Sequence, residues 1–249
     1  DSQRHIGIAA DGTVAGLTTP EEDLATLSSR IAAAPEDLAL RRERIEMLEK
    51  LQRWPEALAD IDDYLEWSPG DGWRPVRALL MARMNDDRQR SDKYAARCLE
   101  IVRNEKGSVY GRGHAALALS LAPDQVKDFT PILAVARASA EEKEAWHHQL
   151  PLLLALLRAK KLDELKTKLA PYLDEEEPSG RQAVALLLES LRLHHSDQPQ
   201  VAHTTYRYAI DVTRQLPWEG YVEHINELIV ARLLEREARQ VLGVTQPVQ

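Results

Sequence analysis

A reactive site in this sequence would have to be built from histidine, cysteine, glycine turns and clustered carboxylates. Two histidine pairs stand out, His147-His148 and His194-His195, 47 residues apart. Imidazoles on facing helices can hold zinc or copper, which would make a metal or histidine-based enzyme site. Adjacent residues on a helix point about 100° apart, however, so only one of each pair can turn toward a shared ion, and hydrogen-bonded or solvated histidines with some pH sensitivity are the plainer reading. The single cysteine, Cys98, excludes an internal disulfide and every multi-cysteine zinc site. Arg97 beside it would lower its pKa, but its place on a second helix of a pair suits a small buried hydrophobe.

Other chemical signals also dissolve. Gly111-Arg112-Gly113 is too short for a nucleotide loop and more simply opens a helix. Asp174-Glu175-Glu176-Glu177 reads as a solvated loop or as an acidic patch for a basic partner. Arg41-Arg42-Glu43-Arg44 mixes signs as surface ion pairs do. The sequence holds no phosphate-cradling loop, no HExxH, no nucleophile elbow and no CxxC. The expectation is a protein that is not an enzyme and uses no cofactor and no metal.

The elements that position these residues are helices. Leucine (36) and alanine (32) far outnumber valine (14) and isoleucine (10), and 11 glycines in 249 residues are few for a sheet protein. A net charge of −8 supplies no basic excess for nucleic acid or anionic membranes. The longest apolar run, Leu150 to Leu157, spans eight residues and falls far short of the ~18 that cross a bilayer. The chain starts at Asp1 without methionine, which reads either as removal of a leader or as an artificially trimmed start, with a slight lean toward an exported, periplasmic protein over a cytoplasmic one.

Residues 1–18 carry an Ala10-Asp11-Gly12 turn signal between Ile6-Gly7-Ile8 and Val14-Ala15, the pattern of an extended arm or weak hairpin. Thr19, Pro20, Glu21, Glu22 and Asp23 then mark a helix start, and that helix runs to about Ala34 before Pro35 breaks it. A second helix follows through Leu38, Ile45, Leu48 and Leu51. The clearest signal comes next, Arg53-Trp54-Pro55-Glu56-Ala57-Leu58-Ala59-Asp60-Ile61-Asp62-Asp63-Tyr64-Leu65-Glu66-Trp67-Ser68-Pro69. This stretch resembles the second helix and closing turn of a tetratricopeptide repeat, with Ala57, Ile61, Tyr64 and Pro69 at the family's offsets. The resemblance is good over 38–71 and fair over 162–216, and it implies a row of two-helix units, since one unit cannot bury its own apolar face.

With Ala57 as marker, the equivalents are Ala95, Phe129, Leu165 and Ala202, at separations of 38, 34, 36 and 37 residues. Pro55, Pro75, Pro123 and Pro199 fall where helices should begin, whereas Pro131, Pro151 and Pro171 should kink or break theirs. The expected fold is all-α: an α-α superhelix of about five antiparallel pairs over 19–243, an extended arm at 1–18, a capping helix from Trp218 to Leu242 ending at Gly243, and a loose tail at 244–249.

Such an array implies a concave groove lined by the first helix of each pair. By register the lining is Arg42, Glu46 and Glu49, then Arg77, Leu80 and Met84, then His114 with Ala118, then His147, Leu150 and Leu154, then Val184, Leu187, Leu191 and His194. The expected function is a non-catalytic scaffold or adaptor that binds another protein or a peptide in this groove. The alternative is a structural or assembly subunit of an envelope or secretion complex. Trp54 fits a packing role at a helix turn, and Trp67 and Trp73 are either buried under their loop or an aromatic contact site.

Overall fold

The computed structural model describes residues 5–8, 14–175, 177–216 and 225–244, and the chain divides into two compact units, Asp1–Arg74 and Pro75–Gln249. In the first, β1 (His5–Ile8) and β2 (Val14–Thr18) pair antiparallel, with Ile8 opposite Val14 and an irregularity between His5 and Gly7. The arm is thus a hairpin; its Ala10-Asp11-Gly12 turn lies outside the described residues. The helix α1 (Pro20–Ala33) opens with a capping box in which Thr19 Oγ1 accepts from the Glu22 amide and the Glu22 carboxylate accepts from the Thr19 amide at 2.8 Å. Asp37 caps α2 (Leu38–Lys50), and Pro55 sits in the first turn of α3 (Trp54–Trp67). Leu27 and Ile31 of α1 bury against Leu40 and Met47 of α2. Trp54 is buried, whereas Trp67 at the end of α3 is 58 % exposed.

The second unit alternates two kinds of helix. The inner ones are α4 (Arg74–Met84), α6 (Val109–Ser120), α8 (Trp146–Arg158) and α10 (Gly180–His195); the outer ones are α5 (Arg88–Arg103), α7 (Thr130–Glu142), α9 (Leu162–Leu169) and α11 (Pro199–Gln215). The helix α6 packs on α5 and α7, α8 packs on both α6 and α7, and α10 packs on α8, α9 and α11. A last helix, α12 (Ile225–Leu242), ends at Gly243 in the left-handed region, as its sequence indicates; Trp218 to His224 lie outside the described residues. Inner helices are buried all round, for example Gly113–Ser120 of α6 and Leu150–Leu157 of α8, as a helix apolar on every side must be. Outer helices bury one stripe.

A repeated turn fixes the register. Gln52, Asp86, Lys160 and Asp197 each have φ between 54° and 56° and each ends the first helix of a pair. The next amide reaches back five residues in every case, from Arg53 to Leu48, Asp87 to Ala82, Lys161 to Leu156 and Gln198 to Leu193 at 2.9–3.0 Å, which is the Schellman hydrogen bond. Glycine is the residue that adopts this φ without strain, and none stands at any of the four positions. Lys160→Gly should therefore stabilise the protein by up to about 1 kcal/mol in urea unfolding, and a loss of stability would show that the lysine side chain outweighs the strain.

Buried residues recur at i, i+4 and i+7 on α3, α5, α7 and α11: Ala57, Ile61 and Tyr64; Ser91, Ala95 and Cys98; Ile132, Ala136 and Ser139; Ala202, Tyr206 and Ala209, the first of each set lying five residues past the turn in α3, α5 and α11. Leu165 and Ala202 hold the marker position. Ala95 does not: it matches Ile61, one helical turn later, and Ser91 takes the place of Ala57. Phe129 precedes α7, where Ile132 is the equivalent, because Pro123 opens only a short 3-10 turn, Pro123–Gln125, in place of the usual tight connection. Pro131 breaks nothing, since it lies in the first turn of α7, where its missing N–H has no helical partner to lose. Pro151 sits inside α8, and Pro171 lies in a 3-10 turn just past α9.

Candidate functional site

The residues expected to line a groove fall into both units. In the first, Arg42 is exposed, Glu46 is exposed and pairs with Arg74 at 3.4 Å, and Glu49 is buried. In the second, Arg77, Leu80, His114, Leu150, Leu154, Leu187 and Leu191 are all buried, Met84 and His194 are half-buried, and only His147 is exposed. Ala118 and Val184 are fully buried as well. This corrects the open lining read from the sequence: the apolar side chains of the inner helices are core, with Leu154 at 0 % exposure.

Much of that burial at the end of the row comes from α12, which packs chiefly along α10 and only at an edge on α11. Its direction follows from two contacts. A methyl group on Gly180, at the start of α10, would meet the Glu227 carboxylate at 2.5 Å. Glu237 acts electrostatically on His195 at the end of α10. The two helices therefore run side by side in the same sense, with Leu228, Ile229, Val230, Ala231, Leu233 and Leu234 buried.

Polar anchors then tie the far half of α12 to the ends of the other inner helices. Arg236 donates to the main-chain oxygens of Arg83 and Met84 at 3.2 and 3.1 Å and to the Asp86 carboxylate at 2.7 Å, so a cation caps the negative C-terminal end of α4. Arg158, at the end of α8, donates from Nε to the Ser120 carbonyl of α6 at 2.6 Å. Its Nη1 and Nη2 clasp the two oxygens of Glu237, the second at 2.6 Å. The Arg158 side chain is 7 % exposed, and such a bidentate pair is the geometry in which a buried arginine is tolerated. Lys160 faces the same point: burial, then Arg158, lowers its pKa, and Glu237 opposes them. None of Asp86, Arg158, Lys160 or Glu237 was marked by the sequence, where Arg158 is merely the charged residue that ends an apolar run.

The histidine pairs do not meet. His147 and His148 begin α8 while His194 and His195 end the neighbouring α10, and His147-His148 gathers instead with His114 of α6 around Tyr110. The Tyr110 ring lies 4.2, 5.9 and 5.4 Å from those of His114, His147 and His148. His114 Nδ1 donates to the Tyr110 carbonyl at 3.0 Å and His148 Nδ1 to the Ser139 carbonyl at 3.0 Å, with Glu142 3.8 Å from the latter nitrogen. Among the described residues no cluster of three or more histidine, cysteine or acidic side chains has a metal-binding arrangement.

Burial lowers the pKa of His114, with His147 and His148 adding to the shift, and burial, His148 and Lys143 lower that of His147. A histidine held neutral in the fold binds its proton only in the unfolded chain, so its contribution to stability is present above the ordinary value near 6.5 and is lost as the pH falls below it. The melting temperature should drop between pH 7.5 and pH 5, and His114→Gln should flatten that slope. Equal slopes in the two proteins would assign the acid sensitivity elsewhere. Cys98 is inert by the same physics: burial pushes its thiol up to about 12, and thiol reagents should label it only on unfolding.

No protein-family model and no curated protein matches the chain. Among solved structures, the chain is similar to a tetratricopeptide repeat protein from Parabacteroides merdae, at 15 % sequence identity and a TM-score of 0.52, over 86 % of this chain and 77 % of that one. Apart from the β1–β2 hairpin the fold is therefore helical, of the α-α superhelix class that tetratricopeptide repeats build.

Proposed function

We propose that this chain is a non-catalytic protein-interaction scaffold whose inner-helix face takes a helix, a peptide or a chain tail of another protein. The supporting observation is α12 itself: a helical segment already lies along α10 and is anchored at the ends of α4 and α8. Repeat arrays use such surfaces for recognition by apolar anchors with a few polar ties. Arg42 and Glu46 in the first unit, and His147 beside the 43 % exposed Tyr110 in the second, are side chains a partner can reach without disturbing the core.

The test is purification of the tagged full chain from its native source at moderate salt, identification of what accompanies it, and reconstitution from pure components. The expected result is one stoichiometric protein partner whose affinity falls about tenfold or more with Tyr110→Ala while the variant keeps its helical circular dichroism at the assay temperature. Absence of any stoichiometric partner, or turnover of a small molecule by the pure chain, would overturn the reading. A second reading, an assembly subunit that makes contact through its outer side, draws on Val201 and Tyr208, seven residues apart on α11 and each 51 % exposed. Loss of the partner with Tyr208→Asp and not with Tyr110→Ala would select it.

A further inference from the structure

The helix α12 is seated unevenly: α8 packs about equally on the two helices of the preceding pair, α6 and α7, whereas α12 lies mainly along α10 and touches α11 only at an edge. Its polar residues bypass the last pair and reach α4 and α8. Within the second unit α12 thus behaves as an occupant of the inner face. Its seat is made of two complementary receptors. The carbonyl oxygens of Arg83 and Met84 with the Asp86 carboxylate form an anionic receptor filled by Arg236. Arg158, with Lys160 near it, forms a cationic receptor filled by Glu237. The ties of α12 are side-chain contacts to helix ends and to one side of α10, so another helix with the same apolar stripe and the same charges in the same order can make all of them.

We infer that the seat of α12 is an exchangeable helix-binding site, whose partner is an amphipathic helix carrying a basic and an acidic residue side by side, aligned with Arg236 and Glu237. This rests on the scaffold reading and names its partner class. The apolar stripe of such a helix replaces Leu228 to Leu234 against α10, its cation meets the end of α4, and its carboxylate neutralises Arg158. A helix with the two charges interchanged would place a carboxylate against carbonyl oxygens and Asp86 and leave Arg158 facing a cation, so the order of the pair carries specificity.

The experiment uses the whole chain with a protease site inserted after Leu216, cut after purification so that α12 stays bound without a covalent link. The probe is a fluorescent peptide of residues 225–242. The expected result is that the cut protein keeps its helical circular dichroism while the labelled peptide exchanges into it, detected by anisotropy. The uncut protein should take up the peptide at least tenfold less readily, because its own helix competes at high effective concentration. A peptide with Arg236→Glu and Glu237→Arg should bind about thirtyfold or more weakly. Release of the helix only together with loss of the circular dichroism signal, or equal binding of both peptides, would overturn the inference. Either outcome would leave the scaffold reading to the co-purification result, and failure of co-purification with successful exchange would separate the two in the other direction.

Discussion

Leu154→Arg is expected to unfold the second unit. Leu154 is fully buried in α8, between Leu153 and Ala155 that are buried as completely. Arginine there loses the transfer energy of the leucine, overfills its space and brings in a charge with no partner. Each of these costs a few kcal/mol, and together they exceed about 5 kcal/mol. Since a whole domain is stable by only about 5–15 kcal/mol, most of the helical circular dichroism should vanish at 25 °C. The register read from the sequence puts this residue in an open groove, where the same change would spare folding and abolish binding. A folded Leu154→Arg protein with an unchanged melting temperature would restore that view.

Gly113→Val carries the second large effect. On α6 a Cβ at position 113 would stand 2.5 Å from Ser139 Oγ and 2.8 Å from Ser139 Cβ of α7, closer than atoms can approach, and the carbonyl of Ser139 holds His148. Valine must drive these helices apart at a cost of about 3 kcal/mol in urea unfolding, whereas alanine recovers about 1 kcal/mol of that through helix propensity. Ser139→Gly removes both obstructing atoms, so the double variant should be more stable than the sum of the single changes by more than about 1 kcal/mol. Strict additivity would show that the close approach is not what Gly113 provides. The glycine that reads as a helix opener is, in the fold, a packing device.

The two-helix unit was legible because its signals are local. Thr19 with Glu22, Asp37 and Pro55 announce helix starts, and Ala57, Ile61 and Tyr64 announce one buried stripe. Register slipped where the local signal was ambiguous. Ala95-Ala96 looks more like the small marker than Ser91 does, and the longer connection after α6 moves the marker from Phe129 to Ile132. The turns themselves were hidden, since Gln52, Asp86, Lys160 and Asp197 occupy a backbone conformation usually betrayed by glycine.

The candidate groove was less legible for a different reason. A helical period tells which residues share a face, but α8 and α10 are buried on nearly every face, and only the chain's own last helix explains what covers one side of α10. Arg236 meets Asp86 across 150 positions and Glu237 meets Arg158 across 79, and no pattern within a window of the sequence encodes either meeting. The histidine pairs erred similarly: each was visible, but their separation to opposite ends of adjacent helices, and the assembly of one pair with Tyr110 and His114, depend on the row.

The most direct test of the central claim, that the inner face of the second unit is a helix seat filled by a separable α12, is residue-resolved native-state hydrogen exchange. Amides of residues 228–234 should be well protected, yet open with a lower free energy than those of residues 184–191 in α10, and mild urea should release them first. Exchange of both stretches at one shared opening energy would make α12 an inseparable part of the core, and unprotected amides in α12 would remove it from the seat; either result contradicts the account.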